Sequence, residues 1–315
     1  MEKDKYRKYW NEAVEMMPRE ELKTLQEKRM QRQLRYVYNH SMLLHRLYSE
    51  AGITPEDIKT IEDFKKVPFL DKDFVREERQ RTGDPFGGVL CVPRERIYAI
   101  STSTGTTGPS TYAAWTKDDG RVLYDIESRG VWSMGVRPTW KSLLVAPICW
   151  HGATPYFIAV ADITDSTKSA MMDIDVLIDA KKCLAIARSF KPDFFYCATD
   201  IALRMMEEAK TLELDLKEEL PNLKLVTHTG DIFPDPLRKR FVDEWGGIHL
   251  DSYGLGDLGF YMFECIDAQM GSHMPEDAFL LELVDPDTGE RLSVGERGEL
   301  TVSPLLYEGT PLIRY

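Results

Sequence analysis

Between Ser101 and Thr111 nearly every side chain is a hydroxyl, and the exceptions are Gly105, Gly108 and Pro109. Ser103, Thr104, Gly105, Thr106, Thr107 and Gly108 form the centre of this run. Such a segment has little apolar surface to bury. It offers hydroxyl and backbone N–H donors, and glycine lets the backbone fold tightly around an anion. A polyphosphate is the natural ligand of such a cradle. It is not the common nucleotide P-loop, because no Gly-Lys-Ser/Thr closes it. A flexible Ser/Thr/Gly connector would look the same locally, so this run alone leaves that alternative open.

Three further pieces follow. Asp251-Ser252-Tyr253-Gly254-Leu255-Gly256-Asp257 comes after the short strand candidate Ile248-His249-Leu250. Tyr253 offers a flat face to a base, the glycines allow close backbone approach, and Asp257 could hold magnesium across phosphates. A turn with a surface acid explains the same residues. Thr229-Gly230-Asp231 follows the strand candidate Leu223 to Thr227; it suits the edge of an adenine ring and equally an ordinary strand-to-helix turn. The chain stops at Gly309-Thr310-Pro311-Leu312-Ile313-Arg314-Tyr315, which looks like a cut rather than a natural tail.

The elements that must position these pieces fall into three stretches. Residues 1–95 form a helical arm: Tyr9, Ala13, Met16 and Met17, then Leu22, Leu25, Met30, Leu34 and Tyr38, repeat at helical spacing. Pro18 with Glu20 and Glu21 marks one helix start, and Thr54-Pro55-Glu56-Asp57 another. Residues 96–247 alternate. Ile97 to Ile100, Leu143 to Ala146, Phe194 to Cys197 and Leu223 to Thr227 are strand-like, whereas Ile178 to Phe190 and Ile201 to Ala209 are helix-like. That alternation predicts α/β layers with parallel pairing, and ligands beyond the carboxyl ends of the strands. In residues 248–315, Phe279 to Val284 and Gly298 to Val302 flank the turn signal Asp285-Pro286-Asp287-Thr288-Gly289-Glu290, which predicts a smaller antiparallel β region.

The chain has 315 residues, 43% hydrophobic and 29% charged, which suits a folded protein with a large core. No apolar run reaches the length of a membrane span, and the start lacks a signal-peptide core. Five scattered cysteines fit reduced thiols and a cytoplasmic setting. The net charge of −12 argues against a nucleic-acid partner but not against a local anion site.

Taken in order, the pieces resemble the adenylate-forming acyl-CoA ligases, most closely the phenylacetate-CoA ligase branch. The resemblance runs over nearly the whole chain. It starts with Tyr9-Trp10-Asn11, Met17 to Leu22 and Val67-Pro68-Phe69. It continues through Thr104 to Gly108, Tyr253-Gly254-Leu255, Glu264-Cys265 and Glu276-Asp277. It closes with Asp285 to Glu290 and Pro311 to Tyr315. It implies the large N-terminal domain of an adenylate-forming enzyme, without the C-terminal domain that carries the adenylation lysine. It implies ATP, Mg2+ and coenzyme A, with an acid activated as its adenylate and then transferred to the thiol.

By this resemblance Ser103 to Gly108 hold phosphates, and Gly230, Asp231, Asp251, Ser252, Tyr253 and Gly254 bind adenine. Asp257, standing where glutamate is usual, binds the metal. Pro109 stands where lysine is common and Gly256 where a hydroxyl is common. Trp150, His151, Tyr156 and Thr229 fall in the acyl pocket, near His228. Their hydrogen-bonding character points to a small hydroxy acid such as 2-hydroxyisobutyrate, since a plain aromatic acid would strand buried polar groups. An aryl acid, an acceptor other than CoA, and a non-catalytic nucleotide-binding protein are the alternatives. Cys265 and His273 supply two ligands at most, so no structural zinc is expected.

Overall fold

Strands covered by helices on both faces are buried along most of their length. In the computed structural model, Ser142–Val145 (β3), Phe194–Ala198 (β5) and Leu225–Thr229 (β6) are such strands. The structure describes residues 6–102, 110–145, 153–164, 169–171 and 179–315. They divide into two units interleaved along the chain. One comprises Met1–Asn11, Tyr124–Gly254 and Tyr261–Met274; the other comprises Glu12–Leu123, Leu255–Phe260 and Pro275–Tyr315.

The first unit is built on a six-stranded sheet of order β4-β3-β5-β6-β7-β8, where β4 is Ser169–Met171, β7 Ile248–Leu255 and β8 Phe260–Phe263. The pairs β3–β4, β3–β5, β5–β6 and β6–β7 are parallel. Successive side chains on a strand point to opposite faces, and the two cores follow that rule. Leu143, Val145, Phe195, Cys197 and Val226 pack with Cys183, Leu184, Met205, Met206, Phe241 and Trp245. Those partners come from helices Ala180–Phe190 (α7), Thr199–Thr211 (α8) and Asp235–Trp245 (α10). Leu144, Phe194, Tyr196, Leu225 and Leu250 pack with residues of the opposite layer. That layer is formed by helices Lys117–Ser133 (α5) and Ala153–Thr164 (α6). The result is an α/β/α sandwich, the layering expected from the alternation.

The second unit carries the long helix Arg19–His40 (α2), preceded by Pro18, and the helix Met42–Glu50 (α3) capped by Ser41. Asp71 caps Lys72–Thr82 (α4), which ends at Gly83 in the left-handed region that glycine tolerates without strain. Ala99–Thr102 (β1) pairs antiparallel with Tyr112–Trp115 (β2), and Phe279–Val284 (β9) with Glu299–Pro304 (β10). The turn after β9 is closed by Asp285, whose carboxylate accepts from the backbone N–H of Asp287 and Thr288 at 3.0 and 2.9 Å.

Two local expectations differ. Thr54 to Asp57 starts no α-helix, only the single 3-10 turn Pro55–Asp57. Asp57 accepts from both the Thr54 N–H and hydroxyl at 2.8 Å, which satisfies the turn locally, and Ile58 then leaves in an extended conformation to be buried. The strand after Trp245 runs to Leu255 rather than Leu250 and joins the parallel sheet, where β6 offers it ladder partners as far as Ser252.

Candidate functional site

In the first unit the carboxyl ends of β6 and β7 bring two of the sequence pieces side by side. His228 pairs with Asp251 in register, and Thr229 with Ser252. Thr229-Gly230-Asp231 and Asp251-Ser252-Tyr253-Gly254 therefore lie on adjacent parallel strands, where open α/β sheets bind ligands. Gly230 leaves the strand at φ +86°, a conformation costly for any side chain, and is exposed like Asp231. Ser252 is buried, and its hydroxyl donates to the His228 carbonyl at 3.0 Å. Tyr253 keeps 42% of its surface exposed, enough ring for a stacked base.

Behind this edge stands a charged brace. Arg238 on α10 holds Glu264 in a fork of 2.8 and 2.9 Å, and Glu264 also accepts from the Asp251 N–H at 2.7 Å. The fork suits a partly buried carboxylate, since guanidinium geometry matches it bidentately. Burial, and then the Glu264 charge, push the Asp251 carboxyl up to about 6. Its folded pKa is above its unfolded value, so its stabilising contribution is present at low pH and lost as pH rises through about 6. Asp251→Asn should therefore raise the thermal midpoint relative to the parent at pH 8 and bring no gain at pH 4. Equal differences at the two pH values would contradict the raised pKa.

The acyl-pocket residues separate by face. Thr229 alternates with Leu225 and Thr227 and so shares the α5–α6 side of the sheet. Tyr156 on α6 is on that side too, its ring 4.4 Å from Tyr196 and 6.3 Å from Phe263. His228 points the other way, stacked on Phe233 at 4.2 Å and bonded to His249 at 2.8 Å. It is a core histidine of the α10 layer, not a lining residue of the α5–α6 side. Trp150 and His151 lie outside the described residues, as do Ser103 to Gly108.

In the second unit Asp257 is held by Lys72, whose ammonium is 2.7 Å away, and by the Thr111 hydroxyl at 3.2 Å. Lys72, Arg76 and Arg79 follow one another at i, i+4 and i+7 on α4, so they share a face. Arg79 donates to the Ser110 carbonyl at 2.7 Å and lies over the Tyr112 ring at 4.5 Å. The exit of the hydroxyl-rich run is thereby tied to a cationic helix face. Sequence reasoning missed Lys72, because nothing local distinguishes it from any helix-starting lysine. Among the described residues no group of three or more His, Cys, Asp or Glu is placed to enclose a metal ion. Asp257 is a single carboxylate, which fits magnesium's habit of taking one or two carboxylates and completing its shell with phosphate oxygens and water. Among the described residues no helix is long and apolar enough to cross a membrane.

Comparison with known proteins adds a family to this geometry. The profile of the family described as AMP-binding enzyme matches residues 23–304. The phenylacetate-coenzyme A ligase of Thermus thermophilus is 31% identical over 305 residues, covering 96% of this chain and 66% of the relative. The Escherichia coli K12 protein of the same name is 27% identical over 313 residues, 96% of this chain and 68% of the relative. The chain thus spans about two thirds of the length of these curated relatives. Among solved structures, an open conformation of 2-hydroxyisobutyryl-CoA ligase in complex with 2-HIB-AMP and CoA superposes with a TM-score of 0.87. It is 23% identical and covers 99% of this chain and 72% of that one. ATP-bound MatB from Rhodopseudomonas palustris superposes with a TM-score of 0.53 at 16% identity, over 69% of this chain and 41% of that one.

Proposed function

Because the chain belongs to the AMP-binding enzyme family, we propose that it carries the acid and ATP sites of an acid-CoA ligase. In the first half-reaction a carboxylate oxygen bonds to the α-phosphorus of ATP, and the bond to the β-phosphate bridge breaks, releasing pyrophosphate. In the second, the thiol of coenzyme A gives up its proton and attacks the acyl carbon, and AMP leaves. Oxide is a poor leaving group from a carboxylate and AMP a good one, which is why the detour through the adenylate is needed. The protein's share of the first step is positioning and charge neutralisation.

The observation that carries this reading is the meeting of Thr229-Gly230-Asp231 with Asp251-Ser252-Tyr253-Gly254 at the carboxyl ends of adjacent parallel strands. In this reading Tyr253 stacks on adenine, and Gly230, Asp231, Asp251, Ser252 and Gly254 frame the base. Ser103 to Gly108 wrap the phosphates. Asp257, paired with Lys72 here, would hold a magnesium ion that arrives with the nucleotide. The metal, when bound, supplies charge neutralisation at the phosphates. Tyr156 and Thr229, with Trp150 and His151, line the acid site.

The acid itself is proposed to be small and hydroxylated. Polar groups on the α5–α6 face (Tyr156, Thr227 and Thr229) support it, as does the likeness to 2-hydroxyisobutyryl-CoA ligase. The names of the curated relatives support phenylacetate instead, as does the aromatic set Tyr156, Phe157, Tyr196 and Phe263. Calorimetry with sulfamoyladenosine mimics of the two acyl-adenylates separates these, since binding them requires no chemistry. The hydroxyisobutyryl mimic should bind more tightly than the phenylacetyl one, and the reverse order would hand the site to the aryl acid. Tyr253→Ala should weaken either mimic by about tenfold or more, the usual value of a base–aromatic stack. Unchanged affinity in that variant would remove the adenine assignment.

A further inference from the structure

Helix α5 buries Leu123, Ile126 and Val131, the stripe a core-facing helix needs. Glu127 stands inside that stripe. It is 1% exposed, and neither of its carboxylate oxygens has a hydrogen-bond partner among the described residues. One turn further on, Gly130 packs so closely that a Cβ there would meet the Phe263 ring at 2.2 Å. Phe263 in turn is stacked with Tyr156, their planes 15° apart. Tyr156 is itself buried, and its hydroxyl finds no partner of full hydrogen-bond geometry, though Thr227 interacts with it weakly. Thr227 and Tyr196 are register partners on β6 and β5 beneath the Tyr156 ring. A buried acid with no hydrogen-bond partner among the described residues, and a buried phenol with only the weak contact from Thr227 among them, therefore occupy the same α5–α6 side of the sheet as Thr229.

Buried polar groups are almost always hydrogen-bonded, and leaving one bare is costly. Two such groups in one place need a common explanation, and a ligand's polar group supplies it. We propose that Glu127 and Tyr156 form the specificity-determining pair that hydrogen-bonds the hydroxyl of the acid substrate. This rests on the reading that the chain binds an acyl-adenylate. Burial pushes the Glu127 carboxyl well above the usual carboxylate range. That shift favours the protonated form, which can donate one hydrogen bond and accept another, as an ionised carboxylate cannot. The Tyr156 phenol is likewise pushed up, first by burial and then by Tyr196 and Glu127, so it remains a donor. An alcohol both donates and accepts, and this pair can serve both needs. A hydrocarbon at the same point would leave both protein groups unpaired, which is the stronger source of discrimination.

The test compares the 2-hydroxyisobutyryl and isobutyryl sulfamoyladenosines, which differ by one hydroxyl, by calorimetry on the parent chain, Glu127→Leu, Glu127→Gln and Tyr156→Phe. The parent should favour the hydroxylated mimic by at least about tenfold. Glu127→Leu should bring the two affinities within about threefold of each other, by weakening only the hydroxylated mimic. Tyr156→Phe should narrow the gap, and Glu127→Gln, which still donates and accepts, should keep most of it. Thermal midpoints establish that each variant is folded; Glu127→Leu should not melt below the parent, since it replaces an unsatisfied acid by an apolar isostere. A parent that binds both mimics equally, or a preference that survives both Glu127→Leu and Tyr156→Phe, overturns the pair while leaving adenylate binding intact. A parent that binds neither mimic overturns the underlying reading, and the pair with it.

Discussion

Arg314→Met should lower the unfolding free energy by about 3–5 kcal/mol, the usual cost of removing one member of a buried ion pair. Arg314 is 4% exposed and its partner Glu282 5%. The guanidinium meets the two Glu282 oxygens at 3.0 and 3.3 Å. It also donates to the carbonyls of Val67 at 2.7 Å and Lys65 at 3.0 Å, and lies 3.9 Å over the Phe69 ring. One side chain thus satisfies a buried carboxylate and two backbone acceptors within the second unit. Methionine fills much of the volume but strands all three. The pair as a whole need not be stabilising, because two charges had to be desolvated to make it. Arg314→Met/Glu282→Leu should therefore recover a substantial part of the loss, and Arg314→Lys should fall between, since an ammonium cannot fork. Denaturant titration of the four chains measures this. A single-variant loss below about 1 kcal/mol, the range of exposed pairs, would mean the interaction is effectively solvated.

Acid should cost the chain about 3 kcal/mol between pH 7 and pH 4 through His249 alone. The proton positions follow from the hydrogen bonds. His249 Nε2 lies 2.9 Å from the Gly246 carbonyl, so it must carry the hydrogen. Its Nδ1 then accepts, and His228 Nε2, 2.8 Å away, must donate. That leaves His228 Nδ1 without a partner among the described residues, on a ring packed against Phe233 and Phe241. A second proton on either ring breaks this chain or adds an unsatisfied donor. Burial lowers His228 well below the usual histidine range and His249 to about 4. Both folded pKa values are depressed, so the unfolded chain takes protons first as pH falls. The contribution is whole above about 6.5 and is lost down to about 4. His249→Gln keeps an amide donor for Gly246 and an acceptor for His228 without titrating at this position. Its stability, measured by denaturant midpoints at pH 7, 5.5 and 4, should be lower at neutral pH and fall less steeply. Parallel pH curves for parent and variant would show that other groups carry the acid sensitivity.

Much of the scaffold was legible because its signals are short-range. Strand candidates at Leu143 and Phe194 needed only four or five consecutive apolar residues, and the one at Leu225 an apolar pair flanked by β-branched threonine. The Asp285 turn needed only an acid placed to accept from the N–H groups two and three residues on. The helix start expected at Thr54–Asp57 yields only one 3-10 turn for a related reason. Its capping residues signal a helix start, but the burial of Ile58, a long-range demand, ended it after one turn.

Glu127 carried a signal that local reading passed over: an acid at a stripe position between Leu123 and Val131. Its meaning depended on what lay opposite, and Tyr156, Phe263 and Thr227 come from distant parts of the chain. Lys72 carried no signal, since Asp257 is brought to it only by the fold. His228 and Thr229 are neighbours in sequence with similar hydrogen-bonding character, yet the pleat sends one into the α10 core and the other to the α5–α6 face.

The sequence by itself determined the hydroxyl-glycine run, the order of the pieces, the family and the α/β layering. Backbone geometry and apolar periodicity act over a few residues and leave their mark in the order of side chains. Only the tertiary structure decided which face each side chain serves and which charges meet, as Asp257 meets Lys72 and Arg314 meets Glu282. Those outcomes depend on burial summed over elements far apart in the chain, and no local stretch of sequence contains that sum.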